Sequence, residues 1–227
     1  MDTEAQIYLQ SRRGHFQTEG YRAFYTFNFE HYEAENREPS GTLLALNDET
    51  LLPQFSRKVN VNEPVQIVLL PLVGAIEIDE GKGDVLYVDS GESLCVTVMP
   101  GDNFVMTNPY PYQSVNYLQI RLLADNPPIQ KKAVNAFDLN NKNTLIPILD
   151  FVGSSGKQVI GKYEGRQDGL YICKNPANSI FIFIIEGAFE VQNRLLEKRD
   201  GLSLRNVSEV EFEALSNDAI ILILESA

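Results

Sequence analysis

Residues 67–78, IVLLPLVGAIEI, and residues 180–191, IFIFIIEGAFEV, are two versions of one segment set 113 positions apart. Each is a run of β-branched, leucine and aromatic residues, then a glycine, then a short alternating tail. The likeness continues downstream: Ser90-Gly91-Glu92-Ser93-Leu94 follows the first copy and Asp200-Gly201-Leu202-Ser203-Leu204 the second. A period this long means a whole domain used twice, because solenoid units run to only a few dozen residues. The chain's 227 residues accommodate two domains of about 100 residues each, both large enough for a core.

Turn signals divide the rest into short strands. The breaks fall at Asn62-Glu63-Pro64, Glu80-Gly81-Lys82-Gly83-Asp84, Asp89-Ser90-Gly91, Pro100-Gly101-Asp102 and Asn108-Pro109. Strands at roughly ten-residue spacing predict an all-β chain of antiparallel sandwiches or barrels. The polar opening, residues 1–20, reads as an arm or edge element. A strand over Ala23–Phe29 follows, then a loop from Glu33 to Ser40. A second strand over Thr42–Leu46 leads to a turn expected at Asn47-Asp48. Asn126-Pro127-Pro128 followed by Ile129-Gln130-Lys131-Lys132-Ala133-Val134 predicts one short linking helix, with proline at its start. Asp138–Asn143 is the linker's polar exit, and Gly153-Ser154-Ser155-Gly156 a turn between strands. The expected domains are therefore 1–125 and 144–227, joined by 126–143.

Composition excludes several function classes. A net charge of −12 opposes binding to nucleic-acid phosphates or anionic membranes, and Arg12-Arg13 and Lys131-Lys132 read as solvated surface. The longest apolar stretch, Ile180–Ile185, falls far short of the roughly 20 residues a membrane helix needs. The opening MDTEAQIYLQ has no apolar signal segment, so a cytoplasmic location is expected. Two cysteines without an export signal predict no disulfide. Cys95 and Cys173 are instead candidates for redox sensing, if exposed and of low pKa. On its strand Cys95 shares a face with Ser93 and Thr97, opposite Leu94, Val96 and Val98.

Other motifs give structure rather than chemistry. Gly74, Gly91, Gly101, Gly187 and Gly201 suit turns or bulges, and no glycine-rich loop opens onto a helix to cradle phosphate. His31 lies beside Glu30, but neighbouring strand residues point to opposite faces, so a surface role is expected for it and for His15.

Taken in order, these motifs resemble the pirin family of tandem cupin barrels, in its short bacterial branch. Phe24-Tyr25-Thr26-Phe27-Asn28-Phe29-Glu30-His31-Tyr32 and Leu46-Asn47-Asp48-Glu49 stand where the family has an R-x-T-F-S-F-x-x-Y strand and an L-N-D-D turn. Val73-Gly74, Gly91-Glu92, Pro100-Gly101 and Asn126-Pro127 continue the likeness. Ile184-Ile185-Glu186-Gly187 and Lys198-Arg199-Asp200-Gly201 carry it through the second half. The resemblance implies two cupin (double-stranded β-helix, jelly-roll) barrels.

It also implies, in metal-binding members, one iron held in the first barrel by three histidines and a glutamate. An H-P-H stretch before Gly74 would place two ligands at Asn60 and Asn62. A G-x-x-H-x-E spacing after Gly101 would place the others at Phe104 and Met106. In the second half the repeat carries these positions to Cys173, Asn175, Ala214 and Ser216. With two histidines in the chain, a three-histidine site cannot form, and amides are weak donors for a first-row metal.

No cofactor and no metal are therefore expected. The expected function is a metal-free pirin-like bicupin of binding or regulatory type, without catalysis. Asn60, Asn62, Gln66, Phe104 and Met106 are its candidate pocket, and a small molecule or a protein its partner, with a homodimer allowed. The alternatives are a flavonol dioxygenase-like enzyme using a different metal site, and a redox regulator acting through Cys95 or Cys173.

Overall fold

The computed structural model describes residues 3–81, 83–124, 132–149 and 156–226. The first half comprises β1 (Glu4–Tyr8), a single 3-10 turn (Gln10–Arg12), β2 (Gly14–Gln17), β3 (Tyr21–Tyr25), β4 (Leu43–Leu51), β5 (Ser56–Val59) and β6 (Val65–Val73). It continues with β7 (Ile76–Asp79), β8 (Val85–Val88), β9 (Glu92–Val98), β10 (Phe104–Thr107), β11 (Val115–Leu123) and β12 (Lys132–Ala136). The second half comprises β13 (Thr144–Pro147), β14 (Gln158–Tyr163), β15 (Asp168–Ile172), β16 (Ser179–Glu186) and β17 (Ala188–Val191). It ends with β18 (Arg194–Glu197), β19 (Gly201–Arg205), β20 (Glu209–Ala214) and β21 (Ala219–Ser226).

Both copies of the repeated segment occupy the same place in their sheets. In one compact unit β6 lies between β9 and β11, within the order β12-β9-β6-β11-β4-β3-β2, and a four-stranded sheet β5-β10-β7-β8 completes the barrel. In the other, β16 lies between β19 and β21, within β1-β19-β16-β21-β14-β13, with β15-β20-β17-β18 as the small sheet. The runs do not alternate because their strands are buried on both faces, from Val65 through Pro71 and from Ser179 through Ile185. Pro71 is tolerated in a central strand because the pairing slips there, between Asn116 and Tyr117 of β11.

The shared glycine turns each central strand into the small sheet. Gly74 has φ 74° and Gly187 φ 76°, a conformation a side chain resists. A Cβ on Gly74 would also meet Tyr110 and Val115 at 3.0 Å, and one on Gly187 would strike Ser216 and Ala219.

The chain does not divide at one cut. One unit takes Gly14–Pro39 and Leu43–Ala136, while the other takes Met1–Arg13, Ser40–Thr42 and Phe137–Ala227. The opening arm thus serves the later barrel. β1 pairs with β19 from Glu4↔Arg205 to Tyr8↔Gly201, and the Tyr8 ring meets Phe181 edge-on at 5.4 Å. Asp200 accepts from Gln10 N at 2.7 Å and from Glu197 N at 3.0 Å, so one buried carboxylate holds both the arm and the β18–β19 turn. In the other barrel β12 covers the equivalent edge, on β9. The edges of β19 and β9 that would otherwise stand open are thus covered.

Two expectations need correcting. The linking helix was expected over Asn126–Val134, but Lys132–Ala136 is a strand, with Ala133 opposite Cys95 and Val134 opposite Leu94. Tertiary pairing with an open edge overrides helix propensity there. Residues 126–131 of that expected helix, and most of the turn expected at Gly153–Gly156, lie outside the described residues. The turn expected at Asn47-Asp48 is also absent. β4 runs straight through it, with Asn47 opposite Gln119 and Asp48 opposite Leu118.

The second barrel is locked by a buried carboxylate at its last strand. Glu225 accepts from Asn178 Nδ2 at 2.7 Å, Asn175 N at 3.0 Å, Lys174 N at 3.0 Å and the Tyr171 hydroxyl. Burial by itself would raise its pKa, but these four donors outweigh that and hold it below the ordinary 4.5.

We expect Glu225→Ala to cost about 3 kcal/mol, because it strands donors that water does not reach. The native state favours the ionised carboxylate. Its stabilisation is therefore complete above the ordinary pKa of 4.5 and is lost as pH falls through the lower folded value. Denaturant titrations of wild type and Glu225→Gln should converge on acidification through that window; parallel curves would contradict this. Deleting the chain through Leu9 should lower the melting temperature and produce light-scattering aggregates from the bared β19 edge. A deletion variant with an unchanged melting curve would contradict that role for the arm.

Candidate functional site

The interior of the first barrel is not wholly apolar. Alternation along β4 turns Asn47, Glu49 and Leu51 inward, so the polar run once expected to be a turn delivers an amide and a carboxylate to the barrel. Register sets their neighbours. Glu49 lies between Ala23 of β3 and Tyr117 of β11, and Asn47 between Tyr25 and Gln119. Glu49, Tyr117, Gln119 and Asn47 are all fully buried.

Donors surround the carboxylate. Tyr117 donates its hydroxyl to Glu49 Oε2 at 2.7 Å, Gln119 Nε2 reaches the same oxygen at 3.4 Å, and Asn47 Nδ2 reaches Oε1 at 3.3 Å. Gln119 is oriented in turn by Arg121, whose Nε donates to Gln119 Oε1 at 2.8 Å. The Tyr21 hydroxyl and Asn47 Oδ1 are buried beside this cluster with no hydrogen-bond partner. Buried polar atoms are seldom left so.

A second carboxylate closes the cluster from outside. The chain after β3 makes a small hairpin, with Phe29 and Tyr32 exchanging backbone hydrogen bonds at 3.0 and 2.9 Å, and Glu30-His31 as its turn. Glu30 adopts φ 52°, and its Oε1 takes Arg57 Nη2 of β5 at 3.1 Å. The Arg57 guanidinium also lies over the Tyr21 ring, 3.8 Å from its centroid, while Arg121 lies 4.7 Å from the centroid of Phe29. Tyr25 stacks at 5.2 Å on Phe29 and points its hydroxyl at Glu30 Oε2, 3.5 Å away.

These surroundings decide the proton states. Burial, then the nearby Glu49 charge, raises the pKa of Tyr117 and of Tyr21. Burial, then Glu30, pushes Tyr25 up to about 12. Burial works against the Arg57 charge, but Glu49, Tyr21 and Glu30 reverse that and raise its pKa. For Arg121 burial prevails and the pKa is lowered. The tyrosines are thus fixed proton donors and the guanidiniums fixed cations at neutral pH. Such a cluster presents fixed charge and hydrogen-bonding shape, and protons are not readily exchanged by its tyrosines and arginines.

The five expected pocket residues do not gather in one chamber. Phe104 and Met106 are buried in the barrel core, opposite Val59 and Arg57 across the β10–β5 pairing. Gln66 lies on the other face of β6 from Val65 and Ile67, which face the core. Asn60 and Asn62 are exposed in the connection between β5 and β6. Two exposed amides and two buried apolar side chains do not fit an iron-type donor set, and among the described residues no three His, Cys, Asp or Glu side chains cluster to hold a metal.

The second barrel's equivalent positions are structural. Asn175 caps Glu225 through its backbone, Ala214 is in the core, and Ser216 Oγ accepts from Ala188 N at 3.1 Å. A groove of about 520 Å³ on its small sheet is lined by Asp168, Glu190, Glu211 and Glu213, with Arg166 paired to Glu213, and has the character of a solvated acidic face.

His31 and His15 are both exposed, as expected, His15 stacking at 5.0 Å on Phe24. Glu30 and His31 are turn residues rather than strand neighbours. Cys95 is on the expected face of β9 with Ser93 and Thr97, and that face is buried. Cys173 is buried in the second core, where burial and then Glu225 push its thiol up to about 11. Neither cysteine forms a disulfide.

The Glu49 cluster was missed because polar residues between apolar runs are the ordinary mark of a turn. Its signal was present all the same. Leu43–Leu46 and Leu51-Leu52 flank Asn47-Asp48-Glu49 with no glycine or proline to turn the chain.

Residues 163–225 match the family model of the quercetinase C-terminal cupin domain. A Pasteurella multocida (strain Pm70) protein named for quercetin 2,3-dioxygenase, PM1685, is 19% identical over 222 residues, covering 88% of this chain and 90% of its own length. YhhW from Escherichia coli superposes with a TM-score of 0.87 at 16% identity, covering 99% of this chain and 98% of that one. A second structure of YhhW, a bacterial pirin in complex with nickel(II), gives 0.84 at 16% identity, with 98% and 99% covered. Quercetin 2,3-dioxygenase from Acinetobacter baumannii gives 0.71 at 10% identity, covering 99% of this chain and 78% of that one. Two barrels of matching topology, a second half that fits the quercetinase C-terminal cupin domain, and a structural likeness across the whole length give the chain the tandem-barrel fold of the bacterial pirins, which it resembles.

Proposed function

We propose that this bicupin works without a metal, as a binding or regulatory protein whose ligand is recognised in the first barrel. The observation that carries this reading is the state of the four positions equivalent to the family's ligands. Phe104 and Met106 are sealed in the core, while Asn60 and Asn62 face solvent. What the barrel holds instead is a set of fixed charges, Glu49, Arg57 and Arg121, with tyrosine and amide donors around them. Fixed charges and donors of this kind select a ligand by electrostatic and hydrogen-bond complementarity.

The names of the relatives favour a second reading, a metal-dependent quercetin 2,3-dioxygenase. That chemistry needs a donor set that binds a redox metal, and the residues at those positions do not supply one. Redox regulation is less favoured still. Cys95 is fully buried, and a thiol with a pKa near 11 holds almost no thiolate at neutral pH. A cytoplasmic location and a protein partner belong to the same proposal; no described helix is long and apolar enough to cross a membrane.

Elemental analysis of the purified protein, before and after incubation with iron(II), copper, nickel and zinc, tests the metal-free reading. We expect less than about a tenth of a metal per chain and no rise in melting temperature with any of the four, since a resident metal would stabilise the native state. One tightly held metal per chain would overturn the reading and make the dioxygenase the better one.

A further inference from the structure

We propose that the end of the first barrel under the Phe29–Tyr32 hairpin is a binding site for a small organic carboxylate, and that Glu30 occupies it as a built-in competitor. The inference rests on the metal-free binding reading and adds the ligand's chemical class.

The charges define the site. Two guanidiniums, Arg57 and Arg121, face two carboxylates, Glu49 and Glu30. Glu49 is fully buried and committed to Tyr117, Gln119 and Asn47, so it cannot leave. Glu30 differs in every respect. It sits at the tip of a two-residue turn at φ 52°, its side chain is 38% exposed, and one 3.1 Å contact joins it to Arg57. Ion pairs of this exposure contribute little and are readily exchanged.

The other half of the pair is not so free. The Arg57 side chain is only 15% exposed and lies flat on Tyr21. When the hairpin lifts, this guanidinium keeps the field of Glu49 but loses its ion-pair partner Glu30, which opens a place for another anion. The guanidinium's planar fork suits a carboxylate, and Tyr25 adds a hydroxyl that stays protonated. Tyr25 and Phe29, stacked on one another, supply an apolar wall for the body of such a ligand. The Tyr21 hydroxyl beneath, buried beside Glu49, adds a further donor.

Propionate, the Glu30 side chain freed from its backbone, is the probe. Glu30→Gly suits the local φ and removes the tethered competitor. Calorimetry at constant ionic strength should show this variant binding propionate at least tenfold more tightly than wild type, with no binding of the neutral propionamide. Adding Arg57→Lys, which keeps the charge but loses the fork and the stacking on Tyr21, should abolish the gain. Circular dichroism of each variant establishes that it is folded. If Glu30→Gly proves unfolded, Glu30→Ala takes its place in the same comparison. Equal affinity in wild type and the Glu30 variant, or equal binding of propionate and propionamide, would overturn the inference. The metal measurement is separate: a metal-free protein that ignores propionate loses the carboxylate site alone, whereas a metal-loaded protein loses the reading beneath it.

Discussion

A carboxylate enclosed in a β-barrel must be met by donors or cations, because leaving it bare in a low-dielectric interior costs several kcal/mol. Each half of this chain contains a carboxylate that is fully buried, Glu49 in one and Glu225 in the other, and much of the local structure around each follows from satisfying it. In the first barrel Glu49 requires the inward tyrosine and glutamine of β11, and Arg121 in turn orients that glutamine. In the second barrel Glu225 gathers a tyrosine, two backbone amides and an asparagine from the loop ahead of β16. The two solutions differ in kind. Glu225 is answered by neutral donors from β15 and the loop that follows it, and acts as a staple. Glu49 lies in a neighbourhood with two guanidiniums, and the charge left over has to be balanced by Glu30, a residue on an exposed turn.

That difference separates the two barrels functionally. They share a topology, a strand-to-strand glycine turn at φ near 75° and a covered edge. Sharing a scaffold leaves chemistry open, since sites are built on folds rather than implied by them. The second barrel spends its interior on aromatic packing, with Tyr163, Phe189 and Phe212 in edge-to-face contacts at 5.1 to 6.2 Å. The first keeps a polar interior whose outermost member, Glu30, is held by an ion pair to Arg57 and a 3.5 Å contact from the Tyr25 hydroxyl.

Much of the architecture was legible beforehand. The repeat at 67–78 and 180–191 marks two barrels because a strand buried on both faces needs an unbroken apolar run, and such a run is visible in one dimension. The replacement of the residues that the pirin resemblance would make ligands was legible for a similar reason, since ligand chemistry depends on residue type, and Asn60, Asn62, Phe104 and Met106 carry neither imidazole nor carboxylate. Strand endings were harder. Asn47-Asp48 reads as a turn by composition, yet it continues a central strand because the barrel interior there is polar. Lys132–Ala136 reads as helix by propensity, yet it pairs with β9 because an open edge was available.

The sequence by itself determined a tandem of two all-β barrels, with amides and apolar side chains where the pirin resemblance would place metal ligands, because periodicity, turn residues and side-chain chemistry are local properties. Only the tertiary structure decided that the opening arm completes the second barrel, that the cysteines are buried, and that Glu49, Arg57, Arg121 and Glu30 meet. These groups lie far apart along the chain and are joined by strand register and barrel closure, which bring side chains together according to three-dimensional pairing rather than order in sequence.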